Sequence, residues 1–259
     1  MLPNKPLDKI IFSDIETTSQ YPTFKEMPEK FQNLFKQRFK KDFAQMDMDR
    51  QECQGDDDQI QVWYDETVEA FYSAKSPTQA EWLKVIAISC SKLALPENPE
   101  GDYVVKTVCY SGDDEKELLQ KFAAGMNKAC SNTAEFSWVF HHGNAFDVPV
   151  LIKRFIINGL PLPKFLDVAN LKPWERGHII DTKVEWSCGV YDSAVSLDHL
   201  AAIFNVPSSK EVMHGGDVKD VYWIEKDLKK IADYCSRDTI GLSEIYMRIK
   251  GIKNKLIVQ

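Results

Sequence analysis

Lys9-Ile10-Ile11-Phe12-Ser13-Asp14-Ile15-Glu16 is the stretch on which the fold turns. Its apolar, β-branched run reads as a strand. The two-residue period of a strand puts Phe12, Asp14 and Glu16 on one face and Ile11, Ser13 and Ile15 on the other. Two carboxylates therefore leave the strand end side by side. A carboxylate in apolar company needs a cation or hydrogen bonds to offset the water it loses. The same conflict recurs at Phe146-Asp147 and at Asp238, within Tyr234-Cys235-Ser236-Arg237-Asp238.

Outward from that strand, Leu83 to Leu93 and Tyr103 to Tyr110 are rich in β-branched residues and read as two further strands, joined by a hairpin through Pro96, Pro99 and Gly101. Glu115 to Lys128 carries Leu118, Leu119, Phe122 and Met126 at helical spacing, and Phe136 to Phe140 is a fourth strand. A helix follows Asp147, with Pro149 in its first turn and Leu151, Ile152, Phe155 and Ile156 on its buried side. A strand is expected around His178 to Val184, a helix from Ser196 to Phe204 with Ser196 as N-cap, and a last helix from about Leu228 to Lys250. On that helix Ile231, Tyr234, Asp238, Leu242, Ile245 and Ile249 share one stripe, so Asp238 interrupts a buried face. An isolated aspartate there would pair with an arginine or cap a neighbouring helix. Tyr234 one turn earlier and the two upstream acidic motifs favour a shared site instead.

The 259 residues, 44% apolar and 11% aromatic, suffice for a substantial core. The chain reads as a single domain over residues 1–259 in which 21–82 is a helical insertion, since so long a connection must carry structure of its own. Within it Phe31, Phe35, Phe39 and Phe43 repeat every four residues among Lys30, Lys36, Arg38, Lys40 and Lys41. Such a stripe docks on a core with a solvated basic face, or it touches a nucleic-acid strand. The Gly55-Asp56-Asp57-Asp58 turn separates it from a second helix near Thr67 to Ser73. Asp47, Asp49 and Gln51 resemble the opening of a calcium loop, but Glu52 stands where that loop needs glycine.

A net charge of -7 argues against coating nucleic acid by bulk electrostatics, though not against a nuclease whose site gathers acids around metal ions. Met1 to Asp8 has no apolar leader, and no stretch approaches the roughly 20 apolar residues that span a bilayer, so a cytoplasmic location is expected. The six scattered cysteines form no zinc pattern and read as reduced thiols, mostly core filler.

Hydrolysis of a phosphodiester develops charge on the attacking and the leaving oxygen, and two divalent ions roughly 3.5 to 4 Å apart stabilise both. Hard Mg²⁺ or Mn²⁺ select oxygen ligands, so acids from separate elements are the expected cage. Asp14 would bridge the two ions, Glu16 and Asp238 would complete one site, and Asp147 would hold the other. Tyr234 would orient or help deprotonate the attacking water.

Phe12 to Thr18, His141 to Pro149 and Tyr234 to Asp238 resemble the three exonuclease motifs of the DEDD superfamily, tyrosine subtype. The pattern is similar to that of the predicted exonucleases related to the proofreading domain of family B DNA polymerases. The resemblance covers roughly residues 8–20 and 83–250. It implies an α/β, ribonuclease H-like fold: a mixed five-stranded sheet flanked by helices, with the first three strands antiparallel. It also implies a metal-dependent 3′-to-5′ exonuclease with catalytic Asp14, Glu16, Asp147, Tyr234 and Asp238, the four acids being metal ligands. The asparagine that the pattern places five residues before Asp147 is His142 here, and Asn144 lies out of register. His142 would take over that asparagine's task, alter the pH dependence or mark weaker activity, or His141 and His142 are strand-end residues satisfied by backbone. Thr17, through its N–H, is expected to meet a 3′ hydroxyl, and His142, Asn144 and Phe146 complete the substrate side. Lys153 and Arg154 would contact phosphate or stand solvated on their helix, and Asp198 and Asp217 read as caps or loop acids.

No base-reading motif is visible, so single-stranded nucleic acid is the expected partner, DNA ahead of RNA, with replication or repair proteins as compatible partners and no membrane. Two other classes share parts of this pattern. A nucleic-acid-binding scaffold of the same fold without turnover is disfavoured by the intact acids. A phosphatase with Asp14 as nucleophile lacks its second aspartate and its lysine motif.

Overall fold

The computed structural model describes residues 5–130, 135–168, 170–172, 175–190, 193–211 and 213–259. The chain divides into two compact units, residues 1–17 with 85–259, and residues 18–84.

The larger unit is built on a mixed sheet whose strands are β1 (Ile10–Ser19), β2 (Leu83–Ala94), β3 (Tyr103–Ser111), β4 (Ser137–Phe140), β5 (Ile179–Asp181) and β6 (Leu256–Val258), in the order β5-β4-β1-β2-β3-β6. β4 runs parallel to β1 and to β5, β2 and β3 form the expected antiparallel hairpin, and β6 lies parallel to β3 with Leu256 opposite Tyr103. The sheet is flanked by helices, as expected of a ribonuclease H-like fold, but it has six strands rather than five. The sixth strand has only three residues, too few for a periodic pattern, and it exists because β3 offers it an open edge. The strand around His178 is shorter than its apolar run suggests. After Asp181 the chain turns into a helix, because that carboxylate caps Lys183 N–H at 3.0 Å.

In the smaller unit, helices α1 (Glu29–Arg38), α2 (Lys40–Glu52) and α3 (Asp57–Lys75) pack around Phe24, Phe35, Phe43, Tyr72 and Trp82. A single helix through the four phenylalanines is broken at Phe39, whose φ of -112° and ψ of 35° leave the helical region. Phe35 and Phe43 are buried, whereas Phe31 is 38% exposed. The second helix runs over 19 residues, not seven, since Asp56 and Gln59 close a capping box well before Thr67. Asp47 and Asp49 lie inside α2, so no calcium loop forms there.

The larger unit continues with α4 (Glu115–Ala129), α5 (Asp147–Ile157), α6 (Thr182–Ser187), α7 (Leu197–Phe204), the short α8 (Val218–Asp220) and α9 (Leu228–Ile249). β1 sits inside the sheet, and its Ile10 and Phe12 join Val105, Val139, Leu242 and Tyr246 in one fully buried cluster under α9. α4 and α5 are locked together by a buried ion pair. Glu115 accepts from Arg154 Nε at 2.8 Å and Nη2 at 2.5 Å, from Asn158 Nδ2 at 2.9 Å and from the Val85 N–H at 2.7 Å. Arg154 is 3% exposed and fully engaged, so it is not the phosphate contact or the solvated position expected of it, while Lys153 beside it is exposed.

Removing one partner of a buried pair strands the other charge in low dielectric. Arg154→Met should therefore lower unfolding free energy by about 3–5 kcal/mol in urea titrations. Adding Glu115→Gln in the same chain should recover part of that loss.

Candidate active site

Three elements bring the acids together. β1 supplies Asp14 and Glu16, whose alternation past Phe12 aims them towards α9. α5 supplies Asp147 as its first residue, and α9 supplies Tyr234 and Asp238, one turn apart on its buried side.

Asp147 is delivered by a tightly built turn after β4. His142 adopts φ 73°, and its carbonyl accepts the N–H groups of Ala145 at 3.1 Å and Phe146 at 3.0 Å. Asp181, 3% exposed, accepts the His142 N–H at 2.8 Å and the Asn144 N–H at 2.9 Å. Gly143 packs so closely that a Cβ there would lie 2.2 Å from the Phe140 Cβ. The Asp147 carboxylate accepts the Ile15 N–H, which ties the head of α5 to β1 between the two other acids.

Asp14, Glu16 and Cys235 each bring a ligand atom within 4.8 Å of the other two. The Cys235 thiol donates to the Asp14 carbonyl at 3.5 Å and to its Oδ2 at 3.6 Å. Asp147 and Asp238 lie outside that closest trio, yet near enough for their charges to act on both Asp14 and Glu16. Asp238 accepts from Ser209 Oγ at 2.5 Å and from the Tyr234 hydroxyl.

The electrostatics are those of an uncompensated cluster. Burial, then the charges of Glu16, Asp238 and Asp147, hold the Asp14 carboxyl well above the usual range. Glu16 is raised by burial and by Asp238 and Asp147, and Asp147 rises to about 7 by burial and the charge of Asp181. Asp238 is raised by burial against the opposing help of Ser209, Tyr234 and the Lys210 charge. Tyr234 is pushed up by burial and by Asp238, Glu16 and Asp14, so its hydroxyl stays protonated. Oxygen donors of one sign, each resisting ionisation, are what a hard divalent cation would neutralise, and the donor set fits such a group.

Asp14, Tyr234 and Asp238 line a cavity of about 190 Å³ together with His141, Ser209, Lys210 and Arg237. Of the expected substrate-side residues, Thr17 is buried beside Glu16, Phe146 is half-buried, and Asn144 has a buried Oδ1 without a hydrogen-bond partner among the described residues. His142 has an exposed side chain, and its backbone N–H is held by the Asp181 carboxylate. It is His141 that lines the cavity, its ring fixed between Thr182 Oγ1 at 2.9 Å and the Val195 carbonyl at 3.0 Å and its pKa lowered to about 4 by burial. Asp198, in the first turn of α7, takes a hydrogen bond from Ser208, pairs with Lys210 at 3.6 Å and lines the same cavity, while Asp217 caps the His214 N–H at 3.1 Å. Ser209, Lys210 and Asp181 gave no sequence signal, because their relevance arises from loops and strand ends that only folding brings near the acids. Cys235 lay inside the third motif, but its role as a neighbour of Asp14 follows from helix phase.

Residues 77–258 match the family described as predicted 3′-5′ exonuclease related to the exonuclease domain of PolB, and the chain belongs to that family. The match includes Asp147, Tyr234 and Asp238 but stops short of Asp14 and Glu16, which join them through β1. Among solved structures the chain is similar to the family B DNA polymerase from the hyperthermophilic archaeon Pyrobaculum calidifontis, at 15% identity and a TM-score of 0.48. The similarity covers 92% of this chain and 24% of the polymerase, so the chain spans about a quarter of that protein's length. No curated protein matches the sequence.

A carboxyl whose pKa is higher folded than unfolded binds more protons in the native state, so stability falls as pH rises between the two values. Without metal, thermal unfolding should therefore move to lower temperature from the ordinary carboxylate range up to about pH 7, the folded value of Asp147. The stabilisation given by added Mg²⁺ or Mn²⁺ should be larger at pH 8 than at pH 5, and Asp147→Asn should flatten the metal-free profile. Scanning fluorimetry across pH, with and without EDTA, reads both. Gly143→Ala overpacks the turn against Phe140 and should cost about 1–3 kcal/mol in denaturant titrations.

Proposed function

We propose that the protein is a metal-dependent 3′-to-5′ exonuclease that shortens single-stranded nucleic acid, DNA ahead of RNA, and that residues 1–259 act as one catalytic domain carrying 21–82 as a helical insertion. The observation that carries the reading is the convergence of Asp14, Glu16, Asp147 and Asp238 from three elements, with the charges that bear most on Asp14 all negative. Family membership supplies the direction of the reaction as an expectation.

In this reading Asp14, Glu16, Asp147 and Asp238 would hold two divalent cations, Mg²⁺ or Mn²⁺, and the bound ions would supply positive charge to the attacking and leaving oxygens of the scissile phosphate. Asp14, on which the charges of Glu16, Asp238 and Asp147 all act, would contribute to both sites. The Tyr234 hydroxyl, kept protonated and hydrogen-bonded to Asp238, orients the attacking water rather than removing its proton. Arg237 and Lys210, the latter paired with Asp198 at 3.6 Å, place positive charge on the same cavity, where they would offset phosphate as it enters. Thr17 meets the terminal 3′ hydroxyl, and Asn144 and Phe146 support the last nucleotide. His142, exposed and held through its N–H by Asp181, would complete the substrate side from outside the cavity lining.

No helix among the described residues is long and apolar enough to cross a membrane. A cytoplasmic enzyme working on free 3′ ends, with replication or repair proteins as partners, is the setting we propose.

A 5′-labelled DNA single strand incubated with Mg²⁺ or Mn²⁺ should shorten from its 3′ end, and EDTA should stop it. Asp14→Ala should abolish the ladder, while Tyr234→Phe should slow it about a hundredfold with the oligonucleotide still bound. Failure of the folded wild-type protein to shorten either DNA or RNA with either metal would sink the proposal.

A further inference from the structure

The helical unit of residues 18–84 contains a surface that its own folding does not explain. Residues 30–41 carry five cations, Lys30, Lys36, Arg38, Lys40 and Lys41, and no carboxylate, in a chain whose net charge is -7. All five are exposed. Lys36 stands over the rings of Phe24 and Phe43, so it belongs to the packing of this unit. Lys30, Lys40 and Lys41 form no ion pair among the described residues.

Two local features run against stability. Lys40 and Lys41 occupy the first turn of α2, where the helix dipole disfavours cations and favours only their neighbour Asp42, and no side chain caps that end. Phe31, the first of the four regularly spaced phenylalanines, is left outside while Phe35 and Phe43 are buried, and Leu34 one turn on is 44% exposed. Lys30, Phe31, Leu34 and Arg38 share one side of α1, since they are three or four residues apart. A surface that breaks local rules without gain in packing marks a functional site.

We propose that this knuckle between α1 and α2 binds single-stranded nucleic acid, with Lys30, Arg38, Lys40 and Lys41 on phosphates and a base stacked on Phe31. The proposal deepens the exonuclease reading, on which the choice of polymer rests. A single strand needs cations spaced along its backbone and an aromatic face for a base, and both are present within twelve residues. A helix that lies in a lipid surface needs a broad apolar face, whereas α1 exposes only Phe31 and Leu34 as large apolar side chains.

The test is binding of the full chain, in EDTA so that nothing is cut, to a 5′-fluorescein-labelled oligothymidylate by fluorescence anisotropy across a salt series. The triple variant Lys30→Gln, Lys40→Gln, Lys41→Gln should bind about tenfold more weakly or worse. Its slope of log affinity against log salt should shrink by about 2, as three lost phosphate contacts require. Phe31→Ala should weaken binding about tenfold with the slope unchanged, because stacking carries no counterions. The substituted side chains are exposed, and unchanged thermal unfolding verifies each variant. Affinity and slope unchanged in the triple variant, or a wild-type protein that binds no oligonucleotide, would overturn the inference. So would a triple variant that loses binding to phosphatidylserine vesicles and keeps the oligonucleotide. Lack of metal-dependent shortening by the wild-type protein would strike the exonuclease reading, while unchanged binding in the triple variant would strike this inference alone.

Discussion

Carboxylates that repel one another inside the protein are the constraint around which the larger unit is arranged. Asp14 and Glu16 lie on an inner strand of the sheet, Asp147 and Asp238 come from helices, and each raises the cost of ionising its neighbours. Burial and like charge both oppose ionisation. The surrounding structure holds them by backbone and hydroxyl donors: Ile15 N–H on Asp147, and Ser209 and Tyr234 on Asp238. Asp181, outside the cluster, fixes the turn that carries Asp147.

The same unit contains a second buried ionic group that is resolved the other way. Glu115 has a bidentate arginine, an amide and a backbone N–H, and nothing further is required of it. That pair fixes α5 against α4 and so fixes the helix whose first residue is Asp147. One cluster is closed by the protein's own cation and serves the scaffold. The other is left with negative charge in excess, which suits a site that takes its cations from solution.

The order of β2, β3, α4 and α9 was legible because the two strands are rich in β-branched residues and the two helices each bury a regular face. The candidate acids stood out for a related reason: Asp238 breaks an apolar helical stripe, and Asp14 and Glu16 interrupt an apolar strand that continues past them to Ser19. Less legible was anything set by contacts between distant segments. Whether Arg154 meets phosphate or Glu115 depends on where α4 lies, and its position in sequence is the same in both cases. Which histidine lines the cavity depends on the φ of 73° at His142, which turns the chain so that His141 points inward. The phenylalanine repeat gave a helix, but not its break at Phe39 or the exposure of Phe31.

By itself the sequence determined the longer elements of the larger unit and the faces on which the candidate acids lie, since these follow from residue type and from side-chain periods of two and 3.6 residues along a local backbone. Tertiary structure alone decided the sixth strand, the closure of Glu115 by Arg154, the gathering of Ser209 and Lys210 beside Asp238, and the upward shift of Asp147 to about 7. Each of these depends on distances between residues far apart in the chain, and on the water excluded between them. Neither is encoded in local spacing.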